Sequence, residues 1–394
     1  MSRALALARE VQGRTSPNPA VGAVLVKDGS IVGEGATEKP GDRHAEVVAL
    51  QAAGAEAKGA TLYVTLEPCC HEGRTAACTE AIIAAGVAKV HFSHEDPDSN
   101  VSGRGKAQLA ESGITVVAGE GEGEARRINE GYLMHRTQGR PFVIAKFAAS
   151  LDGKIAATSG DSRWVSGPET RAWSHELRTR IDAIAVGVST VLIDDPQLTA
   201  RLDPSAGSGQ APSAGSGQAP SAGSGQAPSA GSGQAQLAEH QPLRIVIDSK
   251  GRTPKDASVL GCGTPTLIAT TRASPEAWRA EMTQAGARVE VLPDDGGGRV
   301  SLPALVKHLG ESDVLTMLVE GGGVLHGSFF DEGLVDKVYA VVAPLIVGGD
   351  APSAVGGLGA ERMANALRLS EVTFEQLGQD LLITGYTSAR AIST

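Results

Sequence analysis

The stretch that most constrains this chain lies between residues 41 and 78. It reads H-A-E at His44, Ala45 and Glu46, then an apolar run, then E-P-C-C-H-E-G-R-T-A-A-C from Glu67 to Cys78. A hydrolytic zinc centre needs three soft or borderline ligands, an open position for water, and a proton carrier close by. His44, Cys69 and Cys78 are the candidate ligands. Glu46 is the candidate proton carrier, kept off the metal so that it can take a proton from water and hand it to a leaving amine. Such a site dictates local structure: the pattern predicts a helix over residues 45–53, a buried strand over 61–66 and a second helix from 78. Cys70 competes with Cys69 for the metal, since adjacent cysteines rarely ligate one ion together.

At 394 residues the chain exceeds the size at which a single core stops growing, so two domains are expected. The balance of 35 basic against 45 acidic residues, net charge −10, argues against a polynucleotide substrate. Three of the four cysteines fall within ten residues, which suits a metal site in a reducing compartment better than a disulfide framework. No apolar run approaches the ~20 residues of a membrane span, and the first ten residues do not read as a secretory signal. A cytoplasmic protein without membrane or nucleic-acid partners is the expectation.

The sequence alternates strands and helices, which implies α/β architecture. A short helix over residues 3–11 ends at the turn-forming S-P-N-P of residues 16–19. A hairpin pairs residues 21–26 with 31–35 around Asp28-Gly29. Further strands are expected at 87–92 and 114–117, with a helix over 106–111 between them. One polar helix over 122–138 closes a first domain, 1–139, at Gly139-Arg140-Pro141. The second domain, 140–394, opens with the strand P-F-V-I-A-K-F-A-A-S and continues with a helix over 168–180. Its later strands are A-I-A-V-G-V, L-R-I-V-I-D-S, T-L-I-A-T, V-E-V-L, V-L-T-M-L-V-E and K-V-Y-A-V-V-A. Inside this domain S-A-G-S-G-Q-A-P repeats at period eight over residues 205–235. With no large apolar residue it cannot build a core, so residues 204–236 are expected to form a disordered insertion.

The second domain lacks G-x-G-x-x-G, so a Rossmann site is not supported. Residues 319–328, V-E-G-G-G-V-L-H-G-S, read instead as a strand ending in glycines that lead into a helix, either a phosphate-binding turn or a plain tight turn.

Base-modifying zinc deaminases carry H-x-E and P-C-x-x-C; here the second cysteine follows nine positions after Cys69. With that spacing, His44-Ala45-Glu46, Pro68-Cys69-Cys70-His71, Gly73-Arg74-Thr75 and T-S-P-N-P-A-V-G-A-V at residues 15–24 resemble the deaminase half of the bifunctional RibD family of riboflavin biosynthesis. The second block is similar to its reductase half. The resemblance implies a cytidine deaminase-like fold followed by a dihydrofolate reductase-like fold, with zinc and NADPH as cofactors. It implies deamination of diaminohydroxyphosphoribosylaminopyrimidine, then reduction of the ribosyl chain to ribityl, by a homo-oligomer acting on a small phosphorylated pyrimidine.

Carried over by position, the implied cofactor contacts are Ala148, Trp164, Thr190, Asp194, Ser249, Gly322, Gly323, Val324, Leu325, His326, Gly327 and Ser328. The implied substrate contacts are Ser162, Arg178, Leu198, Arg201 and Glu320, with the two arginines suited to a phosphate. Asn18 is either a pyrimidine contact or a turn residue, and Trp164 is either a contact or core. Asp152 and Lys154 lie near the expected hydride site without an assigned role. A noncatalytic nucleotide-binding protein would need the glycine turn and the arginines but not Glu46 beside three metal ligands.

Overall fold

The computed structural model describes residues 1–71, 76–202, 236–261 and 263–387. The period-eight repeat, Gly73-Arg74-Thr75 and Cys262 lie outside them.

The first half is a five-stranded sheet in the order β2-β1-β3-β4-β5. Helix α1 (Ser2–Val11) precedes the hairpin of β1 (Gly22–Lys27) and β2 (Ser30–Ala36). Then follow α2 (Ala45–Ala53), β3 (Thr61–Val64), α3 (Cys78–Ala84), β4 (Lys89–Phe92), α4 (Arg104–Glu111) and β5 (Thr115–Ala118). The hairpin turns at Asp28-Gly29, both with positive φ, as the sequence indicates. β1 pairs antiparallel with β2 and β3, whereas β3, β4 and β5 run parallel. Ala23, Leu25, Leu62, Val64, Val90 and Phe92 pack into one core with Ala45, Ala49 and Ala53 of α2.

The expected single helix over 122–138 is two: α5 (Glu122–Ile128) and α6 (Glu130–Gln138). The break falls at Asn129, whose side-chain amide donates to the Ala20 carbonyl (2.9 Å) and whose Oδ1 accepts the Ala20 N–H (2.8 Å). A side chain bound in this way to the backbone of the segment leading into β1 competes with helix propagation. α6 docks the first half on the second. Lys337 Nζ meets Glu130 Oε2 at 3.1 Å, the Tyr386 hydroxyl also bonds Glu130, and Gly131 permits close approach to Leu315 and Thr316.

The second half is organised by a nine-stranded sheet. Its elements are β6 (Phe142–Ser150), α7 (Pro168–Arg178), β7 (Ala183–Gly187), α8 (Val188–Asp194), and the two-residue strands β8 (Arg201–Leu202) and β9 (Gln236–Leu237). β10 (Leu243–Ile247), β11 (Thr266–Thr270), α9 (Glu276–Gln284), β12 (Arg288–Val291), α10 (Leu302–Glu311), β13 (Thr316–Gly321), α11 (Gly323–Asp331) and β14 (Lys337–Ala343) follow. The last described elements are β15 (Leu369–Leu377) and β16 (Asp380–Thr387), which the sequence pattern did not announce. The order is β12-β11-β10-β7-β13-β6-β14-β16-β15, parallel from β12 to β14 and antiparallel through β16 and β15. Among the described residues β8 and β9 pair only with each other.

Strict alternation feeds two cores. Val143, Ala145, Ala183, Ala185, Met317 and Val319 face one layer, and Phe142, Ile144, Ile184, Val186 and Leu318 the other. A parallel sheet buried on both faces in this way explains the near-continuous apolar strands. It also gathers the loops leaving the strands' carboxyl ends on one edge, where ligands of open α/β sheets bind.

Candidate active sites

His44 occupies the N-cap position of α2 in extended geometry, and Glu46 follows buried within the first turn, so the helix start holds both side chains at one place. Cys78 opens α3, and Cys69 lies on the loop after β3. His44 Nδ1 is 3.3 Å from Cys78 Sγ and 3.5 Å from Cys69 Sγ, and the three ligand atoms all lie within 4.8 Å of one another. Zn–N and Zn–S bonds of ~2.1 and ~2.3 Å in tetrahedral array place ligand atoms ~3.6 Å apart, so the donor set fits a zinc ion. The Cys78 backbone N–H and thiol both turn toward Cys69 Sγ. With His44 beside it, this brings the Cys69 thiol down to about 4 despite burial, while Cys78 is raised as its proton-sharing partner. Glu46, 5% exposed, is raised to about 7, first by burial and then by the Cys69 charge.

Cys70 turns away, its Sγ directed at the Asn100 carbonyl. Glu67 of the same motif is buried and accepts backbone N–H bonds from Asp96, Gly103 and Lys106 (3.0–3.2 Å), which fixes the start of α4 behind the cluster. Asn18 belongs to a Thr15–Asn18 backbone turn (2.8 Å). It lines a separate cavity of about 380 Å³ between the halves, with Arg180, Asp182 and Thr316.

The second site is a cleft of about 1390 Å³ along the carboxyl edge of the large sheet. Ala148, Trp164, Thr190, Asp194, Ser249, Gly322, Gly323, Val324, Leu325, His326 and Ser328 all line it, as do Ser162 and Glu320. The glycines at its floor are required. Gly322 sits at φ +74°, and a Cβ on Gly323 would come within 2.0 Å of the Ser353 carbonyl. They deliver the N-terminus of α11 to the cleft, with Thr190 of α8 beside them, which suits the phosphates of a dinucleotide. Gly327 faces elsewhere: its Cα packs on the backbone of Gly356 and Gly357.

Ser162 Oγ donates to Asp194 Oδ1 at 3.0 Å. Trp164 is 67% exposed at the cleft wall under the Arg171 guanidinium, so it is not core. Leu198 is the opposite case, buried in the core at φ +53°.

Arg178 grips Glu320 in a fork, Nη2 to Oε2 at 2.6 Å and Nε to Oε1 at 3.2 Å. Burial drives the Glu320 carboxyl up, but Arg178 and Lys146 outweigh it and hold it at about 2. His175 sits by the same pair; burial and the charges of Arg178 and Arg201 hold it neutral, down to about 4. Arg201 Nε and Thr199 Oγ1 are buried without a hydrogen-bond partner among the described residues, and neither residue lines the cleft. Lys146, half-buried in the cleft beside Glu320, escaped the sequence reading. Its only signal was a lone charge in the apolar strand β6. Asp152, by contrast, ties its own turn down. It accepts from Ser150 Oγ and from the N–H groups of Val347 and Gly348, and neither it nor Lys154 lines the cleft.

A deaminase-type ligand set and a glycine-floored cleft on one chain define the class: a hydrolytic deaminase fused to a nucleotide-dependent reductase. Two family models match in that order. "Cytidine and deoxycytidylate deaminase zinc-binding region" covers residues 1–94, and "RibD C-terminal domain" covers 141–383. The riboflavin biosynthesis protein RibD of Aquifex aeolicus is 38% identical over 97% of this chain and 96% of its own. RibD of Acinetobacter baumannii superposes with a TM-score of 0.80 at 33% identity, covering 98% of this chain and 97% of that one. A Thermotoga maritima diaminohydroxyphosphoribosylaminopyrimidine deaminase/5-amino-6-(5-phosphoribosylamino)uracil reductase superposes at 0.78 with 32% identity, covering 98% and 97%. The chain belongs to the RibD family of bifunctional riboflavin biosynthesis enzymes, with a zinc-binding deaminase domain and a reductase domain.

Proposed function

We propose that residues 1–139 deaminate diaminohydroxyphosphoribosylaminopyrimidine and that residues 140–394 reduce the ribosyl chain of the product to ribityl with NADPH. The observation that carries the first step is the His44, Cys69 and Cys78 cluster with a buried glutamate two residues past the imidazole. His44, Cys69 and Cys78 would hold zinc, which supplies Lewis-acid activation of water. Glu46, raised to about 7, is suited both to accept a proton and to return it to the ring nitrogen and the departing ammonia. Its burial keeps bulk water from short-circuiting that transfer.

In the cleft NADPH supplies the hydride, and the chain supplies position. The residues from Gly322 to Ser328 except Gly327, with Ala148, Trp164, Thr190, Asp194 and Ser249, would seat the cofactor. Arg178 and Arg201 would take the substrate phosphate. Glu320, kept ionised by Arg178 and Lys146, would accept hydrogen bonds from sugar or pyrimidine. Ser162 and Leu198 would complete the substrate wall and Asn18 would reach the pyrimidine. Among the described residues no helix is long and apolar enough to cross a membrane. A cytoplasmic setting fits the clustered thiols; the assembly proposed is a homo-oligomer, and light scattering reads it.

The test is a paired assay on the full chain. With the diaminopyrimidine nucleotide, ammonia appears first, and NADPH absorbance falls only after it. Glu46→Ala should lower ammonia release by about 10²–10⁴-fold with zinc content unchanged. Full ammonia release by that variant would remove Glu46 from the chemistry, and ammonia without NADPH oxidation would leave the second half without its assigned reaction.

A further inference from the structure

One acidic side chain outside the cleft is tied to the parts that build it. β6 and β14 are parallel neighbours in the large sheet, so the segments leaving their carboxyl ends start side by side. After β6 the chain turns at once. Ser150 Oγ donates to Asp152 Oδ1 at 2.6 Å and accepts the Lys154 N–H at 2.9 Å, and Gly153 takes a φ of +79°. After β14, residues 344–359 run as an irregular strap.

The strap's first anchor is Asp152, which accepts the N–H groups of Val347 (3.1 Å) and Gly348 (2.7 Å). These groups lead into the turn at Gly348-Gly349, both in the left-handed region at φ +75° and +59°. Past that turn the strap lies antiparallel to residues 153–155: the Ile155 N–H donates to the Pro352 carbonyl at 2.9 Å and the Ala354 N–H to the Gly153 carbonyl at 3.0 Å. Its far part rests on the glycine turn. The Ser353 carbonyl is the atom a Cβ on Gly323 would meet, the Gly356 N–H donates to the Gly323 carbonyl at 2.8 Å, and Gly356 and Gly357 pack on Gly327. Asp331, the last residue of α11, closes the far end by accepting the N–H groups of Leu358 (2.7 Å) and Gly359 (3.2 Å). A carboxylate thus clasps the strap at each end, and between the clasps its backbone supports the start of α11.

We infer that Asp152 is a positioning residue of the second half: by fixing the strap it holds the glycine turn and the start of α11 at the spacing from β6 that hydride transfer needs. The inference rests on the reductase reading of the cleft. Main-chain bonds to a carboxylate are charge-assisted and stronger than those to a neutral acceptor. The Ser150 hydroxyl, then the Val347 and Gly348 N–H groups, hold the Asp152 carboxyl down at about 2, so it is ionised at neutral pH. Without it the strap's turn keeps only its backbone contacts, and the floor of the cleft loses a fixed support. A displacement of ~1 Å can cost about 100-fold in rate.

The test is NADPH oxidation by the full chain supplied with the diaminopyrimidine nucleotide. Asp152→Ala should lower kcat about 10-fold and raise the KM for NADPH about 5-fold, as for a shift well short of 1 Å, with ammonia release unchanged. Asp152→Asn, which keeps one acceptor for the two N–H groups, should recover part of both effects. Asp350→Ala, at an exposed carboxylate of the same strap, should change neither. A variant that merely loses folded protein lowers kcat at an unmoved KM. An unmoved KM or kcat in Asp152→Ala, or an Asp152→Asn protein no better than it, therefore overturns the inference and leaves the reductase reading standing. A wild type that oxidises no NADPH overturns both.

Discussion

Replacing Glu320 by Gln tests the charge balance of the reductase cleft. Glu320 is 6% exposed and its partner Arg178 15%, so solvent screening takes little from their attraction. A carboxyl held at about 2 rather than at the usual 4.5 corresponds to roughly 3 kcal/mol in favour of the ionised folded form. Gln keeps the shape and an acceptor for Arg178 but leaves two cations, Arg178 and Lys146, without their counter-charge. The expected loss at pH 7 is therefore about 3 kcal/mol of the second half's stability, at the lower end of the ~3–5 kcal/mol seen when a buried pair loses one partner.

A carboxyl depressed in the fold contributes stability in full above its unfolded value and loses it as pH falls through the folded one. The gap between wild type and variant should thus be constant from pH 7 to about 5 and close progressively between 4.5 and about 2. Urea unfolding followed by tryptophan fluorescence suits the measurement, because Trp164, Trp173 and Trp278 all lie in the second half. In an Arg178→Met background the same substitution should cost much less. A Glu320→Gln protein within ~0.5 kcal/mol of wild type at pH 7, or an equal loss in both backgrounds, would refute the argument.

Two further outcomes follow from geometry already given. Cys70→Ser should retain its zinc as measured by atomic absorption, because Cys70 Sγ turns toward Asn100, whereas Cys69→Ser and Cys78→Ser should lose most of it. Deleting residues 205–235 and joining the ends with a short turn should leave NADPH oxidation within about 2-fold of wild type, since loop length costs only ~0.6 kcal/mol per doubling. A large rise in the substrate KM would make that segment part of the site.

The deaminase cluster was legible because its chemistry is local. His44 and Glu46 share the first turn of α2 and Cys78 opens α3, so helix signals placed them without knowledge of the rest. The choice between Cys69 and Cys70 was not legible. Successive side chains on an extended segment point apart, and only the position of Asn100 decides which one turns inward. Lys146 was missed for a related reason: a single lysine in an apolar strand acquires meaning only when Glu320, 174 positions later and on another strand, is brought beside it. The terminal hairpin escaped because β15 is exposed on both faces, and alternation without burial leaves no pattern to read. The helix break at Asn129 depended on Ala20, more than a hundred residues away.

The short ladder of β8 and β9 pairs Leu202 with Gln236, the residues on either side of the period-eight segment and its flanks. The chain therefore leaves and re-enters the fold at the same place. A gene whose tandem units expand or contract by slippage during replication would change this protein's length while leaving that ladder, Arg201 and the return into β10 where they are. A foreign sequence of similar length spliced in at this point would thus meet the fold at the same two anchored ends, Leu202 and Gln236.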